Sequence, residues 1–323
     1  MKATSRIVPP LTALLAAAFL LTGCGEPTAA PGKDAPQGAP KIALVMKSLA
    51  NQFFKTMQEG AEAHQAAHKA AHQDEYTLIA NGTKDEQDMA AQINMVEQMI
   101  NKRVDALVLA PADSQALVPV CKKALDAGII VINIDNKFNA QALGEKNIKI
   151  PFVGPDNRKG ARLAGECLAK KLKAGDAVAI VEGAPNAFNA VQRKLGFEDA
   201  INAAGLKVVS SQTGRWEVGE AEKVVAGMIR EHPDLKGVLC ANDSMALGAA
   251  SAIQAAGRSG KVLVVGFDNI SAVRPLLAKG QVVATADQHG DRLAVFGIEA
   301  ALKILKGEAP PADQTTAVDL VTK

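Results

Sequence analysis

A set of amide, carboxylate, cationic and aromatic side chains recurs in this 323-residue chain, each just after a short apolar run. Lys47 and then Asn51-Gln52-Phe53-Phe54 follow Ile42–Met46, and Asp135-Asn136 follows Ile129–Ile132. Further along come Asn189 and Arg193, Trp216, Asn242-Asp243, Asp268-Asn269, and Gln288 after Val282–Ala286. A ligand rich in hydroxyls, such as a sugar, calls for that mixture. Its hydroxyls both donate and accept, matching Asp, Asn, Gln and Arg, while its C–H faces need flat apolar partners such as Phe and Trp. Any one Asn or Asp alone reads as a turn or helix cap, and Asn242-Asp243-Ser244 could all be capping residues. Their joint recurrence at one kind of position is what suggests a binding site.

The elements that would carry these residues come in two sets. Ile42–Met46, Tyr76–Ile79, Ala106–Leu109 and Ile129–Ile132 are apolar runs of strand length. Phe53–Lys69, Asp85–Asn101 and Gln115–Asp126 lie between them with spacing near 3.6. The second set has strands at Ala177–Val181, Val208-Val209, Val238–Cys240 and Val262–Val265, alternating with helical patterns at Gly160–Lys173, Asn189–Ala204, Glu217–Glu231 and Ser244–Ala256. Continuous apolar strands separated by helices predict parallel sheets covered on both faces, hence two consecutive α/β lobes. In such sheets ligands bind beyond the carboxyl ends of the strands, where the polar residues above fall.

Asn51-Gln52-Phe53-Phe54, the Cys240–Gly248 stretch with Asn242-Asp243, Val264–Asp268 and Ala284–Gln288 together resemble the periplasmic sugar-binding proteins of the ribose, galactose and allose type, which serve ABC importers. The likeness runs from Lys41 to the C-terminus. It implies two doubly wound parallel-sheet lobes joined by a three-crossing hinge, the type I periplasmic binding protein fold. By the same resemblance, residues 41–155 and 289–319 form the first lobe, and 156–288 and 320–323 the second. Asn51, Phe53, Phe54 and Asp135 would touch the ligand from the first lobe, and Asn242, Asp268 and Gln288 from the second lobe or the hinge. Trp216 would stack on the sugar opposite the Phe pair, with Asn189 and Arg193 as polar contacts. Lys47 resembles a lysine of the allose branch. Asn136 and Val191 stand where the ribose branch has arginines, so the expected ligand is a hexose or related polyol rather than ribose. Such a protein hands its sugar to the membrane subunits of an ABC permease and works as a monomer. No enzymatic activity, cofactor or structural metal is expected; the calcium loop of the galactose branch is not seen.

Lys2 and Arg6 precede the apolar run Leu11–Leu21, which is too short to cross a bilayer and is laid out as a secretory signal. Leu21-Thr22-Gly23-Cys24 at its end resembles a bacterial lipobox, which implies cleavage of residues 1–23 and acylation of Cys24. Residues 24–40, rich in Ala, Pro and Gly, read as a flexible tether. The expected location is the periplasm or cell surface, tied to a membrane through lipid.

The net charge of +2 with no basic run argues against nucleic acid. Sugar-responsive repressors share the two-lobed body but start with a DNA-binding domain, where this chain has a lipid signal. Cys121, Cys167 and Cys240 form no Cys-x-x-Cys and read as buried thiols. His64, His68 and His72 share one helical face at four-residue spacing, which could hold zinc or copper, but a solvated helix end explains them as well. Two other functions compete with sugar transport. One is a sensor subunit presenting its ligand to a chemoreceptor or kinase. The other is a sugar-acting enzyme using Asp135 and Asp268 as paired carboxylates.

Overall fold

The structure is a computed structural model that describes residues 38–72 and 75–323. The signal, Cys24 and most of the tether lie outside the described residues. The first half contains β1 (Lys41–Ser48), α1 (Gln52–Ala71), β2 (Thr77–Thr83), α2 (Met89–Asn101), β3 (Ala106–Leu109), α3 (Val118–Asp126), β4 (Ile130–Ile134), α4 (Ala140–Glu145) and β5 (Phe152–Pro155). The chain continues through α5 (Asn157–Ala169), β6 (Ala177–Glu182), α6 (Phe188–Ala203), β7 (Lys207–Thr213), α7 (Val218–Glu231), β8 (Gly237–Cys240), α8 (Asp243–Ala255) and β9 (Leu263–Phe267). It ends with α9 (Arg274–Ala278), β10 (Val282–Asp287), α10 (Gly290–Leu305), β11 (Gln314–Thr316) and β12 (Asp319–Val321).

These strands build two six-stranded sheets, ordered β11-β5-β4-β3-β1-β2 and β12-β10-β9-β8-β6-β7. Both have the doubly wound order in which the first strand of a set sits inside the second, so each has a switch point beside its first strand. Every pairing is parallel except β10 with β12.

The continuous apolar runs follow from burial on both faces. Along β1, Ile42, Leu44 and Met46 pack in a core with Phe54 and Met57 of α1 and Leu293 and Ile298 of α10. Ala43 and Val45 point the other way, into a core with Val96 and Met99 of α2 and Cys121 of α3. The edge strands β2 and β7 have one neighbour each and are only half-buried. β2 runs three residues past its apolar stretch, through Asn81-Gly82-Thr83, and β7 four, through Ser210-Ser211-Gln212-Thr213. Pairing with β1 or β6 sustains them where hydrophobicity does not.

The chain passes between the two sheets three times: after Pro155, at Gln288, and between Thr316 and Asp319. The last long helix, α10, returns to the first sheet. A side chain at Gly297 would meet Val108 and Ile134 at 2.7 and 2.8 Å, and one at Gly60 would strike the Asp291 carbonyl. Asp319 pairs with Asp287 of β10, so the final crossing lies just before it.

Cys167 and His64 differ from expectation, whereas the other cysteines and His72 agree with it. Cys121 and Cys240 are buried, but Cys167 is half-buried. His64 is committed within the first lobe, its Nδ1 2.8 Å from the Tyr76 hydroxyl and its Nε2 3.7 Å from Glu299. His72 caps the end of α1 in the left-handed conformation. Among the described residues, no group of three or more His, Cys, Asp or Glu side chains is placed to hold a metal ion.

Candidate functional site

A narrow cavity lies between the carboxyl ends of the two sets of strands. Its wall contains Lys47, Asn51, Phe53, Phe54, Asp135, Asn189, Arg193, Trp216, Asn242, Asp268 and Gln288. One residue that the sequence did not single out, Glu86, joins them.

Local backbone chemistry aims these side chains. Asn51 is the N-cap of α1: its Oδ1 accepts from the Phe53 N–H at 3.0 Å, and its Nδ2 donates to Glu86 Oε1 at 2.5 Å. Asn242 is the N-cap of α8, accepting from the Met245 N–H at 2.8 Å and donating to the Trp216 carbonyl at 3.3 Å. The capping reading thus holds for Asn242 together with its place on the wall, and two helix N-termini lend partial positive charge there. Asp243, next in sequence, is instead structural. Its carboxylate accepts from the Thr285 hydroxyl and the Ile270 N–H, and its pKa is raised well above the ordinary value, first by burial and then by Asp268.

Strained backbone collects at the same strand ends. Asp135, Arg215, Trp216, Asp268, Asn269 and His289 all have positive φ, between 52° and 114°. That region is costly for a bulky residue such as Trp and is held only where the surroundings over-determine it. Gly183 makes room for the indole, since a Cβ there would stand 2.1 Å from Trp216 Cη2.

The charges pair in the buried interior. Lys47 Nζ lies 2.8 Å from Asp135 Oδ2, and 5.6 and 5.8 Å from the centres of the Phe54 and Trp216 rings. Arg193 donates from Nε to Asn157 Oδ1 and from Nη1 to the Ala241 carbonyl, both at 2.8 Å. Its guanidinium stacks 3.7 Å from the centre of the Phe267 ring and reaches Asp268 Oδ1 at 3.5 Å. Burial holds its pKa below the ordinary arginine value. Gln288 Nε2 donates to Asp268 Oδ1 at 2.6 Å. Burial pushes the Asp268 carboxyl up to about 7 despite the opposing pull of Arg193. Glu86 is likewise pushed up to about 7 by burial, against Lys47 and the Asn51 bond. Two buried oxygens on the wall, Asn189 Oδ1 and Gln288 Oε1, accept no hydrogen bond from the protein, and a third, Asp135 Oδ2, meets only the Lys47 ammonium. Buried acceptors of this kind are costly, and ligand hydroxyls placed against them would remove that cost.

Asn136 departs from expectation. It lies beside the cavity rather than on its wall, donating to the Pro111 carbonyl and accepting from the Ser114 hydroxyl and the Asn189 N–H. It holds the two lobes together instead of facing the cavity. Glu86 was hidden by the helical spacing that runs back to Asp85. In the structure α2 starts only after its N-cap Asp88, which leaves Glu86 in the β2–α2 loop. The one available signal was its position a few residues past a strand.

A family model described as the periplasmic binding protein domain matches residues 42–309. The chain belongs to this family. It is 57% identical over 314 residues to the D-ribose/D-allose-binding protein of Pseudomonas aeruginosa, covering 95% of this chain and 97% of that one. It is 32% identical to the D-allose-binding periplasmic protein of Escherichia coli, over 88% of this chain and 90% of that one. A solved ABC-transporter solute-binding protein from Burkholderia multivorans superimposes with a TM-score of 0.85 at 58% identity, covering 88% of this chain and all of that one. A second, from Actinobacillus succinogenes with bound D-allose, gives 0.82 at 35% identity, covering 88% and 97%. The fold is that of the type I binding proteins, two α/β lobes with parallel sheets. The protein is an extracytoplasmic solute-binding component of an ABC transporter and not an enzyme.

Proposed function

We propose that this protein captures one monosaccharide in the cavity between its lobes and delivers it, enclosed, to an ABC permease. The observation that carries the reading is the wall itself. Acceptors, donors and two kinds of aromatic ring converge on one cavity between the lobes, with the buried oxygens of Asn189 and Gln288 still unpartnered. In this reading Asp135, Asp268, Asn189, Asn242, Gln288, Arg193, Lys47 and Asn51 hydrogen-bond hydroxyls, while Phe53, Phe54 and Trp216 pack on the C–H faces of the ring. The bodies that close are residues 41–155 with 289–318, and 156–288 with 319–323. A ligand touching both stabilises the closed form by its differential affinity for the two states.

The ligand we favour is a hexose of the allose type, with ribose second. The relatives named for D-allose and D-ribose support this choice. So does the absence of any arginine at positions 136 and 191. Melting residues 38–323, which form one compact unit, against pentoses, hexoses and inositols tests it. A true ligand at a hundredfold excess over its Kd adds about 2.7 kcal/mol of stability. A flat response to every sugar in the panel refutes the reading.

We further propose that Cys24 is acylated, that residues 25–40 tether the body to the membrane, and that the protein acts as a monomer. Mass spectrometry of the mature N-terminus tests the anchor: a chain starting elsewhere than at an acylated Cys24 refutes it. A sugar-independent dimer in sedimentation would refute the monomer.

A further inference from the structure

The N-terminus of α6, in the second lobe, has no side-chain cap of its own. Its N-cap is Ala187, which has no side-chain acceptor. The Ala190 and Val191 N–H groups turn back to the Ala187 carbonyl at 3.1 and 3.3 Å, but those of Phe188 and Asn189 find no acceptor on the helix. Buried N–H groups without an acceptor are costly. Here both acceptors come from the first lobe. The Phe188 N–H donates to Ser114 Oγ at 2.9 Å, and the Asn189 N–H donates to Asn136 Oδ1 at 3.3 Å.

The two capping side chains are set in place by their own lobe. The Ser114 hydroxyl donates to Asn136 Oδ1 at 3.2 Å, and Asn136 Nδ2 donates to the Pro111 carbonyl at 2.9 Å. Asn133 Nδ2 donates to the Asn136 carbonyl at 2.8 Å, and the Asn139 N–H to the Ser114 carbonyl at 2.8 Å. None of these bonds involves the second lobe, so the acceptors are preformed. Lobe closure adds the two caps, and the bond from the Ser114 N–H to the Asn186 carbonyl at 3.1 Å. It also brings two oxygens to the positive end of the α6 dipole. Ser114, Asn136 and Asn189 are all buried there, and neither Ser114 nor Asn136 lines the cavity.

We propose that Ser114 and Asn136 are positioning residues that latch the lobes shut by capping α6 from across the cleft, and so set how long a sugar is retained without touching it. This rests on the capture of a sugar by lobe closure proposed above. The test compares wild type with Ser114→Ala and Ala187→Ser, each as the full chain purified in detergent, using D-allose and D-ribose as probes. An N-cap lost to alanine changes an equilibrium by roughly fivefold. Ser114→Ala should raise the Kd of each sugar that wild type binds by that one factor, because the closure step is common to both. Stopped-flow mixing should place the loss in faster dissociation, with little change in the ligand-free melting temperature. Ala187→Ser acts in the opposite sense on the free protein. Ala187 has the extended backbone that an N-cap requires, so a hydroxyl there caps α6 with the lobes open as well as shut. That variant should melt higher without sugar yet bind sugar more weakly, whereas a merely structural defect lowers both. Unchanged affinity in Ser114→Ala, or weakening of only one of two bound sugars, overturns the latch. An Ala187→Ser variant that binds as tightly as wild type, or melts lower without sugar, also overturns it. A wild type that binds neither sugar overturns the function on which the latch rests.

Discussion

Gly183→Ala isolates the role of Trp216 without removing any group from the cavity. The new methyl carbon would stand 2.1 and 2.2 Å from Cη2 and Cζ2 of the indole. Carbon atoms rest at about 3.5–4.0 Å, so the ring must retreat by ~1.4 Å or more. Trp216 is only 4% exposed and lines the cavity. The retreat therefore displaces the face it offers a sugar. Overpacking of this kind costs about 1–3 kcal/mol of stability, which a two-lobed α/β body can absorb. A displacement above 1 Å on a stacking face should weaken sugar binding by tenfold or more, ~1.4 kcal/mol. Trp216 is the only tryptophan in the chain, so its emission reports on the same ring. The variant should show shifted ligand-free emission and a reduced response to saturating sugar. Melting confirms the fold, and fluorescence titration gives the affinity. Unchanged emission together with wild-type affinity would refute the placement of Trp216 as a ligand wall.

Two further outcomes follow from the charges and from the contacts between lobes. Asp268 in the folded protein titrates near 7, above its ordinary value of 3.8, so between pH ~4 and 7 the folded state holds a proton the unfolded chain has lost. Its contribution to stability is therefore greatest below pH ~4 and falls as pH rises through 7. Asp268→Asn should remove that slope, so the wild-type minus variant difference in ligand-free unfolding free energy declines from pH 5 to 7.5; a flat difference contradicts the assignment. Across the cleft, Gln52 Oε1 accepts from the Ala272 N–H at 3.2 Å, and Asn186 Nδ2 donates to Asp113 Oδ2 at 2.7 Å. Neither Gln52 nor Asn186 lines the cavity. Since closure forms these bonds, Gln52→Ala with Asn186→Ala should raise the sugar Kd by about 0.5–1.5 kcal/mol for each bond lost. An unchanged Kd in the double variant would show that these bonds do not bias closure.

Much of this molecule is set by short-range rules. Strands buried on both faces must be continuously apolar, and the helices between them must show the 3.6 period, so two α/β sets were legible along the chain. The side chains just past those strands were legible as well, and eleven of the twelve nominated there meet on one wall. Elements without such a signature were not legible. β5, β11 and β12 span only three or four residues, and β11 and β12 are mostly exposed, so partners elsewhere in the chain create them. The split between Asn136 and Glu86 shows where local rules stop. Asn136 follows a strand, but contacts from Pro111, Ser114 and Asn189 take up its amide. Glu86 continues a helical spacing, yet the helix starts only after the cap at Asp88, and Asn51 donates to the Glu86 carboxylate on the cavity wall. Which way a side chain faces depends on neighbours more than twenty residues away, and on the other lobe. Sequence spacing carries no record of those contacts, so only the tertiary structure decides them.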